Sequence, residues 1–206
     1  MPLFDVFRRR PPIRDARGLA EFIDQNAAFM VQKGIYEYSR ARAGHYAKVL
    51  FAEPEFREAV EIARWRAYPL GLAMVGEIVE GVLRRDDDDP VRRAARVGAL
   101  TDLVLSVFDR YPVPPGLGAD SWHGLRTDLA RHMGTLGAHA RKRAMDVPQP
   151  FAQAYFDAMP IFQKLRKPDF PSITSYLRVT ACNVHDEFVK RLDTGAAPDL
   201  LREPAA

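Results

Sequence analysis

Leu70-Gly71-Leu72-Ala73-Met74-Val75-Gly76-Glu77-Ile78-Val79-Glu80-Gly81-Val82-Leu83 decides the fold of this chain. Wound as a helix, these residues are apolar on nearly every side, and such a helix has to be surrounded by others. Glu77 and Glu80 interrupt the run, which therefore falls short of the roughly 18 uncharged residues that would span a bilayer. The stretch is read as the middle of a helical bundle, with the two glutamates, one turn apart, either facing solvent along one edge or sharing a proton or a metal. Pro69, just before it, lacks a backbone donor and disfavours a helical Tyr68, so a kink or a new helix is expected there.

Upstream, Pro54 is placed as the first residue of a helix, after Glu53, that carries Phe56, Val60, Ala63 and Ala67. Earlier still, Asp15 reads as an N-cap, and Leu19, Phe22, Ile23, Asn26, Met30 and Gly34 recur at helical spacing. The stripe runs on through Tyr38, Arg42, His45 and Val49, with Gly34 and Gly44 as expected bends. Downstream, Asp86 to Asp89 form a loop that starts a helix at Pro90, whose stripe is Val97, Leu100, Thr101, Val104, Val107, Phe108 and Tyr111. Pro112 to Gly118 is a linker. Asp120 or Ser121 caps the next helix, with Trp122, Leu125, Leu129, Met133 and Leu136 inward.

A further helix is expected from Pro150, bent by Pro160. The last, from Pro171, places Ile173, Leu177, Thr180, Val184, Phe188 and Leu192 on one side and stops by Gly195. No stretch alternates like a strand between hairpin turns, and no repeat is present. The expectation is an all-α, single-domain bundle or orthogonal array of about six to eight helices, one or two kinked at proline. It covers residues 15–195, after a basic and apolar arm over 1–14 and before a frayed tail over 196–206.

The composition, 47% hydrophobic and 28% charged over 206 residues, suits a packed globular core. Cys182 is the single cysteine, which excludes an intrachain disulfide and favours a reducing compartment. The first residues have their arginines behind the apolar positions, unlike a secretory leader, so the cytoplasm is the expected location. Arg8, Arg9, Arg10 and Arg14 against Asp5 account for the whole net charge of +3, and the remainder is formally neutral. A nucleic-acid binder concentrates its excess cations on a folded face, so this distribution argues against that partner.

Several chemistries lack their signatures. No serine has the flanking glycines of a nucleophile elbow, and no glycine-rich phosphate loop occurs. No glutamate is followed three residues later by histidine, as di-iron bundles require, and one cysteine cannot build a zinc ribbon. His132 and His139 are seven apart, about 10 Å along a straight helix, too far for one metal. No metal and no cofactor is implied.

Three groups remain as candidates. Tyr38, Arg42 and His45 share a helix face that continues the buried stripe, where charge is costly unless paired. They read either as the wall of a pocket for an anionic or aromatic ligand, or as a helix half emerging into solvent. Asn183, His185 and Asp186 on the last helix bring together groups able to hold a ligand or pass a proton near neutral pH. A boundary histidine with one hydrogen bond explains them equally. Trp65 and Tyr68, beside Pro69, either line an opening in the helix wall or fill the core.

The strings Tyr38-Ser39-Arg40-Ala41-Arg42-Ala43-Gly44-His45-Tyr46 and Tyr176-Leu177-Arg178-Val179-Thr180-Ala181-Cys182-Asn183-Val184-His185-Asp186-Glu187 resemble an uncharacterised bacterial all-helical family, some members of which carry the label esterase. The resemblance implies a hydrolase, here without the serine elbow. Three functional expectations follow. The first is a module that binds a partner protein or a small apolar or anionic ligand. The second is a hydrolase or other enzyme using His45 or His185, which requires one of them to share a point with Arg42 or Asp186. The third is weak contact with anionic membranes through the arm, where Phe4 and Phe7 precede Arg8, Arg9 and Arg10.

Overall fold

Asp15 accepts a hydrogen bond from the Gly18 amide at 2.7 Å and so starts α1, Ala16–Ala27. This is seen in a computed structural model, which describes residues 11–85, 89–196 and 200–201, with the backbone alone for 163 and 165. The arm residues Phe4, Phe7 and Arg8 to Arg10, and with them the membrane expectation, lie outside the described residues.

α1 continues without a break into a π-helical segment, Ala28–Lys33, and then into α2, Gly34–Ala43. Gly44, at φ 54°, ends the rod with a turn that leads through a 3₁₀ step to the short α3, Ala47–Leu50. Pro54 opens α4, Pro54–Leu83, and Asp89 caps α5, Pro90–Phe108, by accepting from the Arg92 amide at 2.9 Å. α6, Ala119–Gly134, follows the proline-rich linker. After two 3₁₀ turns come α7, Ala152–Asp157, α8, Gln163–Arg166, and α9, Phe170–Arg191. The fold is all-α, with six helices of ten or more residues among those described.

α4 is the axis. It packs against α1, the π segment, α2, α5, α6, α7 and α9, and every residue from 71 to 80 is buried. The two glutamates in that run are therefore not solvent-facing, since Glu77 is 8% and Glu80 3% exposed. The covering layer comes from α6 and the loop behind it; Lys142 of that loop pairs with Glu77, whereas Arg84, at the end of α4 itself, pairs with Glu80.

Other details also depart from the sequence reading. Of the two outcomes expected at Pro69, a new helix does not occur; the proline lies inside a continuous element of 30 residues. The N-cap of α6 is Gly118, which puts Asp120 in the first turn, where a carboxylate favours the helix dipole. α7 stops at Asp157, so Pro160 falls in the connection and bends no helix. α9 ends at Arg191, earlier than Gly195.

The packed body extends past both expected ends. Ile13 is fully buried and pairs with the far end of α9, its amide donating to Arg191 O at 2.7 Å and its carbonyl accepting from the Asp193 amide at 3.1 Å. Leu200, beyond the expected start of the frayed tail, is also fully buried. No described helix is long and apolar enough to cross a membrane.

Candidate functional site: a groove between α2 and α9

The π segment positions this site. A π turn shifts backbone bonding from four residues to five, and the carbonyls it frees need other donors. Tyr155 of α7 donates to Val31 O at 3.0 Å, and Tyr176 of α9 donates to Met30 O at 3.1 Å. Both rings pass directly over Gly34. A Cβ there would lie 2.5 Å from the Tyr155 hydroxyl and 2.7 Å from Tyr176 Cε1, so the close approach depends on glycine. Burial pushes the Tyr155 hydroxyl well up, and the Tyr176 hydroxyl up, from the ordinary tyrosine range.

Beside this seam a groove of about 530 Å³ opens between α2 and the start of α9. Phe29, Gly34, Ala41, Ile173 and Tyr176 give it an apolar lining, and Lys33, Glu37, Tyr38, Arg42, Asp169 and Ser172 add polar groups. The Tyr38 hydroxyl donates to Asp169 Oδ2 at 2.8 Å, and Arg42 Nε lies 3.1 Å from the same oxygen. Burial, followed by the hydrogen bond and charge of Asp169, pushes the Tyr38 hydroxyl up to about 12, against the pull of Arg42 and Arg166. At the other side, the Lys33 amino group stands 4.7 Å from the centre of the half-exposed Phe29 ring. The volume is in the range of small-molecule sites, which combine an apolar lining with a few placed polar groups.

Tyr38 and Arg42 thus meet in one site, as their spacing suggests. His45 does not join them. It lines a separate, more open hollow with Arg40, Gly44 and Lys48, which adjoins the groove at Glu37 and Ala41. His185 Nδ1 lies 3.2 Å from Asp186 Oδ1 on α9, where their side chains are 41% and 66% exposed, and Asn183 is exposed beside them. Sixteen residues of helix, about 24 Å, separate His185 from Asp169. Of the pairings that the hydrolase reading allows, His185 meets Asp186 on the exposed side of α9, remote from Arg42, and His45 and Arg42 line different hollows.

Trp65 and Tyr68 belong to the core. Trp65 packs 5.2 Å from the Tyr111 ring and 6.0 Å from Trp122, and Tyr68 donates to Asp24 Oδ1 at 2.6 Å. Tyr111 donates to the same carboxylate at 3.0 Å, so Asp24 ties α1 to α4 and to the end of α5.

A second polar cluster lies between α4 and α6. Arg84 holds Glu80 through two nitrogens at 2.8 and 2.7 Å and donates to Leu136 O and His139 O. Lys142 Nζ is 2.7 Å from Glu77 Oε1. His132 Nε2 approaches Glu77 Oε2 to 3.3 Å without hydrogen-bond geometry, which leaves both atoms buried and unbonded. Burial raises the Glu77 carboxyl, but His132 and Lys142 together outweigh it and hold the group below the ordinary glutamate range. These contacts clamp the loop after α6 onto α4. Among the described residues, no set of three His, Cys, Asp or Glu side chains is placed to hold a metal.

Asp169, Phe29 and Tyr176 were not singled out from the sequence. Asp169 had one local signal, a carboxylate just ahead of a helix opening with Phe170-Pro171, but nothing local links it to Tyr38. No family model, no curated protein and no solved structure matches the chain.

Proposed function

We propose that the chain is a binding protein for a small amphipathic ligand, held in the groove between α2 and α9. The observation that carries this reading is the groove itself, about 530 Å³ of largely apolar space with Tyr38, Arg42 and Asp169 joined at one wall. The ligand's apolar body would lie against Phe29, Ile173 and Tyr176. Its polar or anionic head would meet the Tyr38 hydroxyl and the cations Lys33 and Arg42. Because Asp169 already orders Tyr38 and Arg42, little side-chain freedom would be lost on binding, which favours affinity.

Untargeted mass spectrometry of small molecules released from the purified protein tests this. Ser172 is exposed and lines the groove, so Ser172→Trp fills the space without touching the core. A compound with an apolar body and polar head should accompany the wild type and be missing from Ser172→Trp. The same compound, in equal amount, on both proteins would contradict the reading.

A further inference from the structure

The outer face of the α2 rod carries exposed aromatic residues interleaved with cations. Phe29 is 49% and Tyr36 40% exposed, and past the Gly44 turn Tyr46 is 76% and Val49 61% exposed. Lys33, Arg40, His45 and Lys48 are exposed among them. From Lys33 to Val49 the only acidic residue is Glu37; the next, Glu53 and Glu55, come at the start of α4. Among the described residues, Arg40 and Lys48 have no carboxylate partner, whereas Arg14, Arg17, Arg126, Arg131 and Arg143 all pair on the surface.

The patch is held in shape from behind. Tyr36 packs edge-on against Phe51 at 5.1 Å, and Phe51 against Phe56 at 5.2 Å, anchoring the end of α3 to α2 and α4. Tyr46 and Val49 are three apart and face outward together, with His45 and Lys48 directly beside them. Single exposed apolar residues are ordinary, but four within the stretch from Phe29 to Val49, with exposed cations between them in sequence, form a surface that favours a partner.

We infer that this face docks on an anionic lipid surface. Cations beside an anionic leaflet attract through its surface potential, and aromatic and aliphatic side chains enter the headgroup boundary. Tyrosine is suited to that boundary because its ring is apolar and its hydroxyl wet. Val49 has no role in stacking on bases, whereas an aliphatic side chain can enter a headgroup boundary, so a nucleic acid fits the face less well. Phe29 and Lys33 also line the groove, so docking would bring the groove mouth close to the lipid. The docking rests on the exposed face alone and stands separately from the ligand reading.

Co-sedimentation of the full chain with vesicles tests the docking, using phosphatidylcholine alone and phosphatidylcholine mixed with phosphatidylglycerol. The wild type should bind the mixed vesicles at low salt, release at high salt, and leave the neutral ones unbound. Arg40→Glu with Lys48→Glu should lower partitioning by about tenfold or more, and Tyr46→Ser with Val49→Ser by several-fold. All four side chains are exposed, so thermal melts of these variants should match the wild type.

A third variant, Arg8, Arg9 and Arg10→Glu, separates this face from the N-terminal arm. Absence of wild-type binding would overturn the inference. So would full binding by both face variants, or a loss confined to the arm variant. Retention by Tyr46→Ser with Val49→Ser, combined with equal loss on adding heparin, would assign the face to a soluble polyanion and overturn it as well.

Discussion

The Tyr38 hydroxyl donates to Asp169 Oδ2 at 2.8 Å across 131 residues of sequence, joining the groove wall on α2 to the start of α9. Arg42 shares that oxygen from one helical turn further on, 3.1 Å away. The three side chains tie the two walls of the groove together at its polar end, and Gly34 lets Tyr155 and Tyr176 approach α2 closely at its base.

Replacing Tyr38 by Phe removes the bond and should cost about 0.5–1.5 kcal/mol near neutral pH, toward the lower end because Tyr38 is half-buried. The pH dependence has a definite sign. A tyrosine whose folded pKa is raised to about 12 contributes stability that is full below its ordinary value of about 10 and is lost as pH climbs through 12. Urea melts of wild type and Tyr38→Phe should therefore converge between about pH 10 and pH 12. A gap that stays constant would mean Tyr38 does not titrate as described.

Gly34→Ala should destabilise by about 1–3 kcal/mol, since the new methyl drives the Tyr155 and Tyr176 hydroxyls off the π-segment carbonyls. Gly98→Ala on α5, where a Cβ meets nothing within 4 Å, is the control and should be neutral or mildly stabilising. Equal urea midpoints for the two variants would show that the tyrosine seam is not tight.

For Glu77 the sign is opposite. Its folded pKa is lowered, so its contribution is present above the ordinary glutamate value and is lost as pH falls through the depressed one. Glu77→Gln should cost about 1–3 kcal/mol at neutral pH and flatten the acid limb of stability. An acid limb as steep as that of the wild type would place its origin elsewhere.

Leu177 is fully buried and Val184 is 3% exposed, so either one replaced by Ala should cost about 2–4 kcal/mol. Val179 on the same helix is 61% exposed, and Val179→Ala should change stability by less than about 0.5 kcal/mol. Chemical denaturation of the three variants checks the orientation of α9.

Leu70 to Leu83 was legible as the central element because its pattern is a property of the segment alone. The same holds for Asp15, Pro54 and the Asp89-Pro90 start, where cap and first turn lie within a few residues. Half of the groove could be read locally as well, since Tyr38 and Arg42 are four apart on one face. Its other half was not readable, because Asp169 and Tyr176 arrive from a distant helix and no spacing encodes that pairing. The π segment left no local mark either, because the donors that satisfy Met30 O and Val31 O belong to α9 and α7.

Glu77 and Glu80 were misread for a related reason. Two carboxylates in an apolar run suggest a wet edge unless their cations are known. Arg84 was within reach of a local reading, four residues after Glu80, but Lys142 comes from the loop beyond α6. The membrane expectation was placed on the arm, whereas the face proposed for lipid contact depends on which side chains the fold leaves exposed.

The groove as a ligand site is tested most directly by titrating the full chain with anilinonaphthalene sulfonate, an aromatic anion of the expected chemistry, and following its fluorescence alongside the thermal melt. The wild type should show one saturable site per chain, and Ser172→Trp should lose it with an unchanged melting temperature. Equal saturable binding by both proteins, or none by the wild type, would contradict the assignment of the groove.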